Sequence, residues 1–327
     1  MADYERILLT GGGGFVGSHL SAALAEAYPG ATRAMLLRPG ERSAPKSFAC
    51  VTADLLDEHA IDRLVADLRP DLLVHLAGQA SIGQAAKAAE HTWRVNFHGA
   101  FALGAALARH APAAVTLFSS TAAAYGAAFR EGMPDEETPL RPQDVYSRSK
   151  AAAESALADV LAPEGRLIVA RPVNHSGPGQ RSRHFVLSSF AAQIAAIEAG
   201  RAEPRIKVGD LSKARDFLDV RDVVDAYVRL IAAARDLPER VSVFNVASGE
   251  ARTIGSLLDD LRALSRTPFD IEVDPERLRP SDIDITSVAC DASRLRAATG
   301  WRPRYPLGDM LAALLEEWRA AEADGAA

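Results

Sequence analysis

The sequence predicts an α/β fold in which a doubly wound parallel sheet carries a smaller α/β lobe. Three observations predict it. Short continuous apolar runs alternate with stretches of helical spacing between residues 6 and 171. A run of four glycines joins the first apolar run to the first helix. Past Arg171 the pattern changes: residues 172–216 are rich in Pro, Gly and charge, and one more apolar run follows at 241–246. Alternating strand and helix gives parallel strands with helices on both faces. Strands buried on both faces read as unbroken apolar runs.

The elements follow in order. Arg6 to Thr10 (RILLT) reads as the first strand, and Phe15 to Tyr28 as a helix with apolar Val16, Leu20, Ala23, Leu24 and Ala27 on one side. A second strand is expected at Arg33 to Arg38, and further strands at Leu72 to Leu76, Ala114 to Phe118 and Leu167 to Arg171. Helical patterns lie between them at Arg94 to Arg109 and Ser147 to Leu161. Val241 to Val246 reads as a last sheet strand, Asp274 to Asp284 as loop, and Leu307 to Ala320 as an amphipathic helix. Residues 1–171 and 217–246 are therefore expected to form a nucleotide-binding domain, and 172–216 with 247–327 a substrate lobe.

The composition narrows the class. Apolar residues make up 48% and charged residues 24% of 327, as in an ordinary globular protein with a large core. A net charge of -6 argues against nucleic acid as a general partner. Cys50 and Cys290 stand in no metal-ligand or CxxC spacing, and we expect reduced, buried thiols in a cytoplasmic protein. No basic-then-apolar leader and no stretch of membrane-spanning length is visible, so no membrane partner is expected.

The turn reads Thr10-Gly11-Gly12-Gly13-Gly14-Phe15-Val16-Gly17. It fits G-x-x-G-x-x-G at Gly11, Gly14 and Gly17, and equally G-x-G-x-x-G at Gly12, Gly14 and Gly17. Between a strand and a helix such a turn lets backbone N–H groups approach a pyrophosphate, with the helix N-terminus at Phe15 and Val16 facing the negative charge. This predicts a Rossmann-type fold. The second strand ends at Arg38, with Arg42 close by and no acid at the tip. An acid there would bind a ribose 2′-hydroxyl, whereas arginine accommodates a 2′-phosphate, so NADP is expected and NAD remains possible. Asp54 and Leu55 follow the third strand, where the adenine edge would lie.

Tyr146 and Lys150 are four apart on a helical run and share one face. A free phenol, pKa about 10, is a poor acid–base group near neutrality; a neighbouring ammonium corrects this by favouring the phenolate. Ser119, Ser120 and Thr121 end the preceding strand at the carboxyl edge of the sheet, where such folds bind ligands.

With TGGGGFVG at the turn, HLAGQAS at 75–81, VNFHG at 95–99, SSTAAAYG at 119–126 and YSRSK at 146–150, the chain resembles the extended short-chain dehydrogenases/reductases. The resemblance implies Thr121 as the hydroxyl on the reacting oxygen, Tyr146 as proton donor or acceptor, and Lys150 as its activator. It further implies cofactor contacts at Leu76, Ala77, Gly78, Asn96 and Arg171. RPVNHSGPGQ at 171–180, VGDLSKARDFLDVRDVVDAY at 208–227 and LRPSDID at 278–284 are similar to the GDP-mannose 4,6-dehydratases and GDP-4-keto-6-deoxymannose reductases. By that similarity Asn174, Arg215 and Arg279 would meet the diphosphate, and Ser81, Gly209, Asp210 and Asp282 the rest of a GDP-sugar. Arginine suits the task because its planar fork pairs with phosphate oxygens.

One departure bears on the reaction. The dehydratases carry a glutamate two residues after the threonine; here that position is Ala123, which moves no proton. The resemblance then implies NADPH-dependent reduction of a GDP-4-keto-6-deoxy-hexose, GDP-4-keto-6-deoxy-D-mannose to GDP-D-rhamnose. The competing readings are a dehydratase, against which Ala123 and the short Pro39–Ala49 stretch count, an epimerase on a related nucleotide sugar, and an NADP-binding regulator, against which the intact Thr121, Tyr146 and Lys150 count. A homodimer is expected through the alanine-rich helices near 94–109 and 147–161.

Overall fold

The computed structural model describes residues 3–41, 45–278 and 285–324. Strands β1 (Arg6–Thr10), β2 (Thr32–Leu37), β3 (Ala49–Thr52), β4 (Leu72–His75), β5 (Val115–Ser119) and β6 (Arg166–Pro172) alternate with helices α1 (Phe15–Ala27), α2 (Glu58–Leu68), α3 (Ile82–Lys87), α4 (Ala89–Trp93), α5 (Gly99–His110) and α6 (Val145–Val160). Beyond them lie β7 (Asn174–Ser176), α7 (Val186–Glu198), β8 (Arg205–Val208), β9 (Ala214–Asp219), α8 (Val220–Ala233), β10 (Val241–Val246), β11 (Ala251–Thr253), α9 (Ile254–Leu264), β12 (Asp270–Val273), β13 (Ser287–Val288), α10 (Ser293–Thr299) and α11 (Leu307–Ala323).

The main sheet runs β10-β6-β5-β4-β1-β2-β3, and every pairing in it is parallel. Alternation along β1 sorts the two covering layers. Ile7 and Leu9 pack with Leu20 and Leu24 of α1 and Val223, Tyr227 and Leu230 of α8. Leu8 packs on the other face with Ile61 and Val65 of α2, Leu103 of α5 and Leu157 of α6. This is the doubly wound α/β arrangement that the apolar runs predict. Truncating a fully buried leucine such as Leu8 to alanine costs about 2–5 kcal/mol.

A separate cluster joins Leu187, Phe190 and Ile194 of α7 to Leu257 and Leu261 of α9 and Met310, Leu314 and Trp318 of α11. Helix α7 lies within the stretch whose Pro, Gly and charge content hid it. It is apolar nearly all round, because nine of its residues are buried, so no amphipathic period marks it. The expected assignment of all of 247–327 to the lobe needs one correction. Cys290, Ala292, Leu295 and Trp301 pack into the sheet's own core, and Trp301 Nε1 donates to the carbonyl of Asp222 on α8 at 3.0 Å. The helix expected at 94–109 also differs: it opens with a π-helical turn, Arg94–His98, before α5. Of the two cysteines expected to be buried, Cys290 is, whereas Cys50 is exposed on β3.

Candidate active site

One cleft of about 1020 Å³ runs over the carboxyl ends of the strands and gathers most of the expected residues. Gly11, Gly14, Phe15, Val16, Arg38, Asp54, Leu55, Leu76, Ala77 and Gly78 line one end. Thr121, Tyr146 and Lys150 line the middle, and Ser81, Asn174, Gly209, Asp210 and Arg215 the remainder. Arg42, Arg279 and Asp282 fall outside the described residues.

The glycine turn fits a dinucleotide pyrophosphate on its own geometry. Gly14 caps α1 with no side-chain hydrogen bond, leaving the first helical amides to the cleft. Gly11 has φ +73, and a Cβ there would lie 2.6 Å from the backbone nitrogen of Ala77. Gly17 does not line the cleft; a Cβ on it would sit 2.1 Å from the carbonyl oxygen of Gly11, so its bareness lets α1 close on the turn. Arg38 stands exposed at the tip of β2, its backbone N–H donating to Glu41 at 3.1 Å.

Tyr146 and Lys150 are placed by α6, whose N-terminus is fixed by a reciprocal cap: Ser147 N donates to Asp144 at 2.8 Å and Asp144 N to Ser147 Oγ at 3.2 Å. The Thr121 hydroxyl neighbours the Tyr146 phenol and accepts from Ala123 N at 3.1 Å. Burial raises the Tyr146 pKa, and the neighbouring Thr121 hydroxyl opposes that rise. Lys150 lies 4.2 Å over the Phe118 ring. Burial pushes its ammonium down to about 7, while Glu154 pulls it back up.

Asn96 lies beneath the cleft floor, brought there by the π-turn. Its side chain accepts from Gln79 N at 2.8 Å and donates to Gln79 O at 3.2 Å and to Ser149 Oγ at 2.9 Å. It locks the loop after β4 to α6 rather than lining the cleft itself. Arg171 departs further from expectation and is a correction. It is buried and lines no part of the cleft, because its guanidinium is taken by Glu154 at 2.6 Å and Tyr125 at 3.0 Å.

Ala123 lines the cleft beside Thr121. The three acids in the following loop turn elsewhere. Asp135 accepts from Thr138 at 2.8 Å, Glu136 from Asn245 N at 2.8 Å, and Glu137 pairs with Arg294. None of them lines the cleft. Several cleft residues were missed from sequence: Glu41, Gln143, His175, Arg183, Lys213 and Arg277. Adjacency was the available signal, since His175 follows Asn174, Lys213 precedes Arg215 by two, and Gln143 precedes Tyr146 by three. Among the described residues no cluster of side chains is suited to a metal ion.

A parallel sheet with a glycine turn at one end of its cleft and a Thr–Tyr–Lys set at the middle defines a dinucleotide-binding oxidoreductase fold and site. The pattern of the NAD dependent epimerase/dehydratase family matches residues 7–247, and the chain belongs to that family. It is 36% identical to the GDP-6-deoxy-D-mannose reductase of Pseudomonas aeruginosa, covering 97% of this chain and 98% of that one. It is 28% identical to the dTDP-L-rhamnose 4-epimerase of Burkholderia thailandensis, covering 99% and 97%. Among solved structures it matches RMD from Pseudomonas aeruginosa complexed with NADPH, with TM-score 0.79, 33% identity and coverage of 96% and 99%. It also matches the Thermus thermophilus UDP-glucose 4-epimerase in complex with NAD, with TM-score 0.82, 26% identity and coverage of 97% and 99%.

Proposed function

We propose that the protein is an NADPH-dependent reductase of GDP-4-keto-6-deoxy-hexoses, converting GDP-4-keto-6-deoxy-D-mannose to GDP-D-rhamnose. The observation that carries the reading is Ala123 beside an intact Thr121, Tyr146 and Lys150, in a chain alignable end to end with a GDP-6-deoxy-D-mannose reductase. The nicotinamide, when bound, supplies a hydride to the C4 carbon. Tyr146 gives its proton to the ketone oxygen, and the Thr121 hydroxyl holds that oxygen. Lys150 offsets the charge left on Tyr146. Dehydration would also need a base for the C5 proton and an acid for the departing hydroxyl, and Ala123 offers neither.

In this reading residues 1–171 and 217–246 hold the cofactor, with Arg38 on the 2′-phosphate and NADH as the weaker alternative. Residues 172–216 and much of 247–327 hold the GDP-sugar, with Asn174 and Arg215 toward the diphosphate. The test is NADPH oxidation with GDP-4-keto-6-deoxy-D-mannose, followed by product identification. Stoichiometric oxidation with formation of GDP-D-rhamnose is expected, and turnover without net NADPH loss would favour an epimerase. Incubation with NADP⁺ and GDP-mannose should give no 4-keto-6-deoxy product; repeated turnover there would overturn the reductase reading.

A cytoplasmic homodimer completes the proposal. Among the described residues no helix is long and apolar enough to cross a membrane. Trp93 at 36% and Phe101 at 45% exposure flank the partly covered Phe97 along α4 and α5, an apolar stripe in search of cover. The small residues Ala151, Ala152 and Ala156 are partly exposed on α6, which packs beside α5. Light scattering should show a dimer at micromolar concentration, and Phe101→Glu should weaken it.

A further inference from the structure

Behind the catalytic residues lies a buried polar chain that the proposed reaction does not use. Tyr146, Lys150 and Glu154 stand at four-residue steps along one face of α6. Glu154 is buried, and both its oxygens are engaged. It accepts from Ser120 Oγ, from Arg171 Nε at 3.1 and 3.2 Å, and from Arg171 Nη2 at 2.6 Å. Arg171 Nη1 donates to Tyr125 OH at 3.0 Å, and Tyr125 OH donates to Asn245 on β10 at 2.8 Å. Alongside, Ser119 Oγ and Tyr227 OH are 2.9 Å apart. The strand end is thus gripped at both residues that precede Thr121.

Such a pair is a weak way to stabilise a fold. Removing two charges from water costs about as much as their attraction returns, and apolar replacements of buried pairs are often neutral or stabilising. The location of this pair carries more information than its existence. It joins the helix bearing Tyr146 and Lys150 to β6, while the Ser120 bond to the same carboxylate ties that helix to the strand end bearing Thr121, and it sets a carboxylate one helical turn from the Lys150 ammonium. The other titratable groups facing this site are Tyr146 on α6, Asp144 at its start, His75 on β4, Tyr125 before α6, Arg171 on β6, Tyr227 on α8, and Cys290 near Arg171 and Tyr125. His75 is held neutral by burial, its pKa lowered to about 3, so it adds no charge near neutrality.

We propose that Glu154 is a positioning residue that keeps Lys150 an ammonium and ties the Thr121 strand end to the Tyr146 helix, while Arg171 limits the field that Glu154 exerts. The inference rests on reading Thr121, Tyr146 and Lys150 as the reacting set. Burial alone drives Lys150 toward the neutral amine, and Glu154 is the group that opposes it. Removing the carboxylate therefore lowers the pH at which Lys150 loses its proton. Removing the guanidinium leaves Glu154 unopposed and raises it. The two changes act with opposite sign, which no purely structural role would produce.

The experiment is the pH profile of kcat for NADPH-dependent reduction of GDP-4-keto-6-deoxy-D-mannose. Glu154→Gln should move the basic limb to lower pH by about one unit and Arg171→Met should move it to higher pH. KM should change far less than kcat. Either single variant leaves one buried charge unpaired and can fail to fold. The double variant Glu154→Gln/Arg171→Met leaves none, and its limb should lie below that of the starting protein by less than the first single change. NADPH binding, followed by nicotinamide fluorescence, verifies folding of each. Limbs that stay in place, or that move in the same direction in both single variants, would overturn the proposal; so would a double variant with the original limb. Two arms separate this from the catalytic assignment. Near-normal turnover in Tyr146→Phe would refute the assignment of Tyr146. Phenolate absorbance, taken as the difference from Tyr146→Phe with NADP⁺ present, needs no substrate. Any displacement of that ionisation should be opposite in sign in Glu154→Gln and in Arg171→Met.

Discussion

The two walls of the cleft are built differently. On the wall that holds Thr121, Tyr146 and Lys150, polar groups are buried and partnered across distant elements: Ser120 and Arg171 on Glu154, Tyr125 on Asn245, Asn96 on Gln79 and Ser149. On the facing wall the polar groups are more exposed, and many of their bonds are to near neighbours, although Arg215 also reaches the carbonyl of Thr286 at 3.5 Å. Asp210 accepts from Ser212 two residues away at 2.6 Å, Arg215 Nη1 donates to the carbonyl of Ala214 at 2.7 Å, and Asn174 is exposed. Long-range bonds fix geometry before a ligand arrives, whereas short-range ones can be exchanged for ligand contacts at small cost. In the proposed reading the chemistry therefore sits on the rigid wall and recognition on the adjustable one.

Substitutions on the rigid wall should chiefly lower kcat, and those on the adjustable wall should chiefly raise KM. The largest effect is expected at Tyr146→Phe, with kcat lowered at least ~10²-fold and NADPH binding retained, since only a hydroxyl is lost. Stopped-flow mixing with NADPH separates the two. Arg215→Ala comes next: KM for the GDP-sugar should rise roughly tenfold to a hundredfold, the scale of one charge-assisted contact, with kcat changed much less. A comparable fall in kcat would erase the distinction between the walls. Arg38→Ala should weaken NADPH binding by about tenfold or less while sparing NADH, because an exposed guanidinium is screened by solvent. Titration with both nucleotides decides it.

The smallest effect is one of pH. Lys150 has its pKa lowered by burial to about 7, so its charge is present below that pH and lost as pH rises through it. Reduction should therefore slow on the alkaline side, and Lys150→Arg, whose charge does not titrate in this range, should flatten that decline.

The sequence disclosed the rigid wall's outward face and little of what lies behind it. Tyr146 and Lys150 are legible because a four-residue step on a helix is a local pattern. The strand end puts Ser119, Ser120 and Thr121 at the ligand edge, and the family resemblance singles out Thr121 among them. Arg171 misled for the complementary reason: its partner Glu154 is seventeen residues away, and Tyr125 is forty-six residues away, so nothing local marks the side chain as already paired. Helix α7 escaped because a helix buried on all sides carries no period. The Asn96 placement depends on the π-turn, and one extra residue in a helical turn leaves no mark in an apolar pattern.

The strand order has a consequence for how the chain is made. β1 lies inside the sheet between β2 and β4, so β2 and then β3 build outward on one side of it while β4, β5 and β6 dock in turn on the other, each on a newly exposed edge. β6 is complete at Pro172, and its outer edge waits for β10, which begins at Val241. Through all the intervening synthesis a row of unpaired amides and carbonyls beside Leu167, Ile168 and Val169 stays open to other nascent chains. A chain ending at residue 240 should accordingly aggregate where the full one does not, and the full protein should refold slowly, at a rate set by this last long-range pairing rather than by any helix.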